Sequence, residues 1–322
     1  FLEEYAAGTG QRSPLYARIE ALEARMKGLP NREDLQQISR EFSLDFAALF
    51  FADRLMKEGA NVQLQKQFLA NAQRVRGGVP LPSRELLILM VPGYDYAENG
   101  PVTGADLAKP MALIRKAGYD VQFVQIDPLG SVEENAAVLK SYILKNKNRT
   151  IVVVGPSSAG PAIHLVLGRL LAAGETSNIA AWLNLGGILQ GSPLLDQFST
   201  GPKGLLFSAI LWFKGWRREN FESMNASVSR RRFATLRVPA HIAIYNYIGL
   251  SLSGSISKFG RDKYWLMRED GPNDGLTLLP DMIAPNSHSI LSPGTDHFFA
   301  EDPDIDLKTL ALLVTIVERL PR

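Results

Sequence analysis

The hydrophobic positions change rhythm once along the chain. Leu15, Ile19, Leu22 and Met26 recur at helical spacing behind Ser13-Pro14, an N-cap and first-turn pair, and the pattern stops at Gly28 and Pro30. A longer helix is predicted from Asn31 to about Lys57, with Phe42, Phe46, Leu49, Phe50 and Leu55 apolar, and a third over 61–75 before Gly77-Gly78. Pro80 and Pro82 punctuate the chain there, so a junction is predicted near residue 80: a helical N-terminal extension over 1–80 and a second unit over 81–322.

Beyond that junction short apolar runs alternate with helical ones. Leu86–Val91, Val121–Ile126, Thr150–Val154, Ile179–Leu185 and His241–Tyr247 are rich in Val, Ile and Leu, as strands covered on both faces require, and Ser289-Ile290-Leu291 opens a last strand. Helices are predicted over Ala105–Ala117, from a capping box at Ser131 and Glu134, and over Ser158–Ala173 to a stop at Gly174. Alternating β and α units predict an α/β fold, a mainly parallel sheet with helices on both faces.

Composition narrows the function. The 322 residues have 35 Lys and Arg against 33 Asp and Glu, so no global field selects nucleic acid, and none is expected as a partner. With 0 cysteines there is no disulfide framework, thiolate metal site or cysteine nucleophile. No apolar run approaches the roughly 18 residues of a membrane span. The absence of cysteine, together with a first residue that is Phe1, leads to the expectation of an exported protein. The 46% apolar and 21% charged fractions are those of a globular chain.

In an open parallel sheet ligands bind beyond the carboxyl ends of the strands. Ile151–Val154 runs into Gly155-Pro156-Ser157-Ser158-Ala159-Gly160 and a helix, which reads as a nucleophile elbow: the small Gly155 and Ala159 let strand and helix approach while Ser157 is exposed at the apex. The plain alternative is a βα turn in which Ser157 or Ser158 caps the helix. A phosphate loop lacks its Gly-Lys-Ser/Thr ending, and the dinucleotide glycine pattern is absent, so no cofactor is expected. Downstream, Gly271-Pro272-Asn273-Asp274-Gly275 puts a carboxylate in a turn after a hairpin-like excursion, and Gly294-Thr295-Asp296-His297 puts a histidine beyond the last strand.

The order Ser, Asp, His in these contexts resembles the α/β-hydrolase superfamily, and more narrowly its lipase branch, over about residues 80–322. Asn184 to Asp196, with Gly191-Ser192-Pro193, is similar to the lipase stretch Gly-x-Pro-His-x-Gly-Ser-Pro, without its Pro-His; Asn273-Asp274-Gly275-Leu276 and Asp296-His297-Phe298 match the surroundings of the family's acid and base. Val91-Pro92-Gly93-Tyr94 stands where the family has His-Gly, Pro156 replaces its His or Tyr, and Ala159 its second Gly. The resemblance implies a lipase- or esterase-like serine hydrolase with Ser157 as nucleophile, His297 as base and Asp274 orienting the imidazole. It implies an oxyanion hole from the backbone N–H groups of Tyr94 and Ser158, and an ester of an apolar acyl chain as substrate. Thioesterase, amidase or peptidase chemistry on the same triad, and a non-catalytic lipid-binding protein, are the alternatives.

Rival residues have other expected places. His164 lies two helical turns below Ser157 and is expected in the core, while His241 and His288 open strands at the amino end of the sheet. Asp196, Asp281 and Asp296 compete with Asp274; Asp281 reads as an N-cap and Asp296 adjoins the base. A lid-like insertion is predicted over 197–236. Its apolar Leu205-Leu206-Phe207, Ile210-Leu211-Trp212-Phe213 and Trp216, edged by Arg217 and Arg218, could meet a lipid surface or cover the acyl pocket. Arg230-Arg231-Arg232 reads as a solvated face, and Asp302, Asp304 and Asp306 read as caps of the final helix rather than a calcium site; no metal is expected. The Phe42–Met56 stripe, broken by Asp45, Asp53 and Arg54, is expected to pack on the hydrolase body or on a second subunit.

Overall fold

A computed structural model describes residues 14–26, 28–199, 217–299 and 301–321. The apolar runs form six strands: β1 (Leu87–Met90), β2 (Asp120–Phe123), β3 (Ile151–Pro156), β4 (Ile179–Leu185), β5 (Ala243–Leu250) and β6 (His288–Pro293). They pair in the order β2-β1-β3-β4-β5-β6, every pair parallel. Side chains alternate across such a sheet, and the core divides accordingly. Leu87, Leu89, Ile151 and Val153 face helices α7 (Val132–Lys145) and α8 (Ala159–Leu165). Ile88, Met90, Val152 and Val154 face α4 (Gly59–Arg76), α6 (Ala108–Lys116) and α13 (Ile305–Arg319). Ser157 follows β3, Asp274 lies between β5 and β6, and His297 follows β6, all toward the carboxyl end of the sheet. Among the described residues no helix is long and apolar enough to cross a membrane.

Several boundaries differ from expectation for local reasons. The N-terminal segment forms α1 (Pro14–Arg25), but the predicted Asn31–Lys57 helix is two, α2 (Arg32–Glu41) and α3 (Leu44–Met56). Ser43, extended at φ −169°, ends the first and caps the second by accepting the Phe46 N–H at 3.0 Å. The Ser158–Ala173 helix is instead α8 followed by one π turn over Val166–Leu170, and Gly174 sits inside a 3₁₀ turn. An unpredicted helix, α5 (Tyr96–Thr103), precedes α6, which starts at Ala108 rather than Ala105. The excursion before Asp274 contains turns and α12 (Arg261–Leu266), not a hairpin. The β4–β5 crossover carries α9 (Pro193–Ser199), α10 (Arg218–Glu222) and α11 (Ala226–Thr235). Ser13 and the stretch Leu205 to Trp216 lie outside the described residues.

The N-terminal helices are anchored on the half of the sheet that carries the acid and the base. Phe46, Phe50, Phe51 and Leu55 pack against Ile248, Leu250, Leu279 and Leu291. Asp45 accepts the N–H and hydroxyl of Ser253 at 2.7 and 2.6 Å. β6 is an edge strand, and exposed edges invite further pairing. Here α4 closes it with side chains: the Ser289 N–H donates to Asn61 Oδ1 at 2.9 Å, the Leu291 N–H donates to Gln65 Oε1 at 2.9 Å, and Gln65 Nε2 donates to the Leu291 carbonyl at 3.0 Å. Gln65 thus substitutes for the backbone of a seventh strand. Gln65→Leu leaves both groups of a residue only 6% exposed without partners, so it should lower stability by about 2 kcal/mol. Urea unfolding should show a lower midpoint at unchanged slope, and an unmoved midpoint would contradict this account.

Candidate active site

Ser157 is held in the left-handed region at φ 49°, a conformation costly for a residue with a side chain. Three hydrogen bonds impose it: its N–H donates to the Leu185 carbonyl, and its own carbonyl accepts the N–H groups of Gly160 and Ile188, each at 3.1 Å. Neither Ser157 nor Ser158 caps α8 with its side chain, so the plain helix-cap reading fails. The hydroxyl instead meets His297: Ser157 Oγ and His297 Nε2 are 2.8 Å apart.

The other imidazole nitrogen is equally committed. His297 Nδ1 lies 2.8 Å from Asp274 Oδ2, and Asp274 is fully buried. A carboxylate only accepts, so Nδ1 carries the proton and Nε2 is left to accept from the serine hydroxyl. The turn that presents Asp274 is fixed from several sides. Asp274 Oδ1 accepts the N–H groups of Leu276 at 2.9 Å and Thr277 at 2.8 Å. Asn273 Oδ1 accepts the Gly275 N–H at 3.0 Å, and the His297 N–H returns to the Asp274 carbonyl at 2.9 Å. The Gly186–Pro193 stretch supports the same turn: the Ser192 hydroxyl donates to the Leu276 carbonyl, and the Thr277 hydroxyl to the Gly191 carbonyl.

Around Ser157 the chain leaves donors and an apolar space. The N–H groups of Gly93 and Asp95 are taken by the carbonyls of Ala105 and Pro128. Among the described residues no acceptor takes the intervening Tyr94 N–H, nor that of Ser158. Beside them opens a cavity of ≈ 350 Å³, bordered by Tyr94, Leu107, Leu185, Tyr247, Phe299 and Ile305. Phe299, itself at φ 48°, stacks on Tyr247 with centroids 5.4 Å apart, and the Tyr247 hydroxyl donates to Ser292 Oγ at 2.9 Å. Two further ionisable side chains line this space: Lys263, which the sequence patterns did not single out, and Asp306, which they placed only as a cap of the final helix. Burial pushes the Asp306 carboxyl above the usual carboxylate range. The one sequence signal for Lys263 is its place in a connection beyond the carboxyl end of β5.

The rival residues lie elsewhere. His164 is buried, stacked on Trp182 and edge-on to Phe233, and burial pulls its pKa down to about 4. The His241 Nε2 bonds the Thr176 carbonyl at 2.9 Å before β5 begins, and His288 opens β6. Asp196 binds the N–H and hydroxyl of Ser227, while the Asp296 carboxylate accepts the N–H groups of Ser257 and Phe298. Asp281 is not an N-cap: it sits within a 3₁₀ turn, fully buried, between Arg32 at 2.7 Å and Arg230 at 3.0 Å. The arginine triplet is therefore no solvated face, since Arg232 is also buried and pairs with Glu133 at 2.8 Å. The final acidic series differs too: Asp304 stands at the N-cap of α13 without a side-chain cap bond, and Asp302 pairs with Lys308.

Comparison with known proteins bears on the fold. No protein-family model matches the sequence, and no curated protein matches it. Solved structures do. The metagenomic carboxyl esterase MGS0156 is 20% identical with a TM-score of 0.58, over 74% of this chain and 76% of that one. The mature lipase BlEst2 of Bacillus licheniformis is 18% identical with a TM-score of 0.55, over 72% of this chain and 94% of that one. The same lipase in its propeptide form gives 18% and 0.56, over 71% of this chain and 51% of that one.

Proposed function

The chain has the α/β-hydrolase fold, and we propose that it is a serine hydrolase cleaving carboxylic esters of apolar acyl chains. The observation that carries the reading is the continuous Ser157–His297–Asp274 relay, 2.8 Å at each link, opening onto an apolar cavity. The carboxyl esterase and the lipase that the chain resembles in fold support the same class.

The proposed chemistry follows from which groups can give and take protons. Ser157 Oγ attacks the ester carbonyl carbon as its proton passes to His297 Nε2, and the carbonyl electron pair moves onto oxygen. The N–H groups of Tyr94 and Ser158 hold that oxyanion, and Asp274 stabilises the imidazolium. The intermediate collapses to an acyl-serine, and the leaving alcohol takes the proton from Nε2. Water, deprotonated by the same nitrogen, then releases the acid and restores the serine. Each oxyanion donor is typically worth about 100- to 1000-fold in turnover.

An alkyl fluorophosphonate should add to one residue, Ser157, as a mass increment on the peptide that contains it. Labelling should fall together with hydrolysis of 4-nitrophenyl esters and vanish in Ser157→Ala. A folded protein that is neither labelled nor hydrolytic would sink the proposal.

A further inference from the structure

The cavity at Ser157 is largely apolar; besides the catalytic groups, Thr103 and Thr309 it is lined by two charged side chains, Lys263 and Asp306, and the cation has no ion-pair partner among the described residues. Lys263, half-buried on α12, donates from Nζ to the Phe259 carbonyl at 2.5 Å. Its ammonium stands 5.3 Å from the centroid of the Phe298 ring. Among the described residues no carboxylate forms an ion pair with it. Asp306, the other charged group at this cavity, forms no ion pair with Lys263 among the described residues. An ammonium has three N–H donors and among the described residues Lys263 uses one of them on protein, so two remain there for whatever enters.

The side of the cavity on which Lys263 stands decides what it meets. His297 must hand its proton to the leaving alcohol, so that alcohol departs past the imidazole. Phe298 follows His297 directly, with ring centroids 5.5 Å apart, and Lys263 lies against Phe298. The acyl chain is left with the apolar wall of Leu107 and Ile305.

We infer that Lys263 selects esters whose alcohol portion carries an anionic group, a carboxylate or a phosphate. This rests on the ester-hydrolase reading above and adds the substrate class. A charge-assisted hydrogen bond in a partly desolvated site favours the anionic substrate by about tenfold over a neutral one of the same shape.

The test compares 3-(butanoyloxy)benzoate and 3-(butanoyloxy)phenyl phosphate with the neutral 3-(butanoyloxy)benzamide, in the wild-type chain and in K263Q, K263E and K263R. Wild type should prefer at least one anion by about tenfold in kcat/KM, and added salt should erode that preference. The ratio of anionic to neutral kcat/KM should approach one in K263Q, fall below one in K263E and largely survive in K263R. A wild-type ratio near one for both anions, or a ratio that K263Q leaves unchanged, overturns the assignment while ester hydrolysis itself stands. Hydrolysis of none of the three by folded protein overturns the hydrolase reading and this inference with it. Which anion is preferred separates a carboxylate-bearing alcohol from a phosphate head group.

Discussion

Asp274→Asn should lower kcat by about 10⁴-fold while leaving the fold intact, an effect larger than the loss of any single hydrogen bond would produce. Asp274 Oδ1 accepts two backbone N–H groups, from Leu276 and Thr277, and an asparagine carbonyl oxygen can take over both. The amide nitrogen is then left facing His297 Nδ1, where Oδ2 now stands at 2.8 Å. Two donors cannot share that contact, so the imidazole moves its proton to Nε2 and points an N–H at the Ser157 hydroxyl. The base becomes a donor at the one atom that must accept. Asp274→Ala acts differently, since it also strands the Leu276 and Thr277 N–H groups and should lower the melting temperature as well. Turnover of a 4-nitrophenyl ester and the melting curve, measured on both variants, separate the two effects. An Asn variant within tenfold of wild type would show that the orientation of His297 does not depend on Asp274.

What was legible in the chain depended on how local its cause was. Ser157 could be read because Gly155, Ser157 and Ala159 sit within five residues of one another between an apolar strand and a helix. Asp274 and His297 could be read because each follows a strand and stands in a short recognisable run. The break at Ser43 could not, because Phe42 and Phe46 continue a helical apolar spacing straight through it. The partners of Arg230 and Arg32 could not either: they meet on Asp281, 51 and 249 residues away, and no periodicity encodes such a pairing. Gln65 carries no signal that it would close the edge of a strand 226 residues on. Lys263 is nearly as hard to read: beyond its place in a connection after β5, its surroundings come from a cavity assembled by separate connections. The Ser157–His297–Asp274 arrangement is thus encoded in short motifs, while its surroundings are encoded only in the fold.

Gly155→Ala should damage stability and turnover together. A Cβ at this position would stand 2.7 Å from the Ala159 Cβ and 2.6 Å from Ile163 Cδ1, where carbon contacts settle at about 3.5–4.0 Å. Ile163 can turn its terminal methyl aside, but the Ala159 Cβ is fixed to the first turn of α8. The helix must therefore retreat from the strand by about 1 Å, and Ser157, on the turn between them, moves with it. Overpacking of this kind costs about 1–3 kcal/mol of stability, and a 1 Å displacement of a reacting group about 100-fold in rate. The chain already carries Ala159 where a second glycine would relieve the approach, so the crossing tolerates one methyl and not two. That makes the compensation specific: Gly155→Ala/Ala159→Gly should recover most of the lost kcat/KM and stability, and adding Ile163→Val should recover more. Ala159→Gly alone should cost less than about 1 kcal/mol, the usual helix penalty of glycine. The double-mutant cycle should give a coupling of at least about 1 kcal/mol. Additive effects at 155 and 159, or a Gly155→Ala variant with unchanged melting and turnover, would mean that the elbow is not held by this contact.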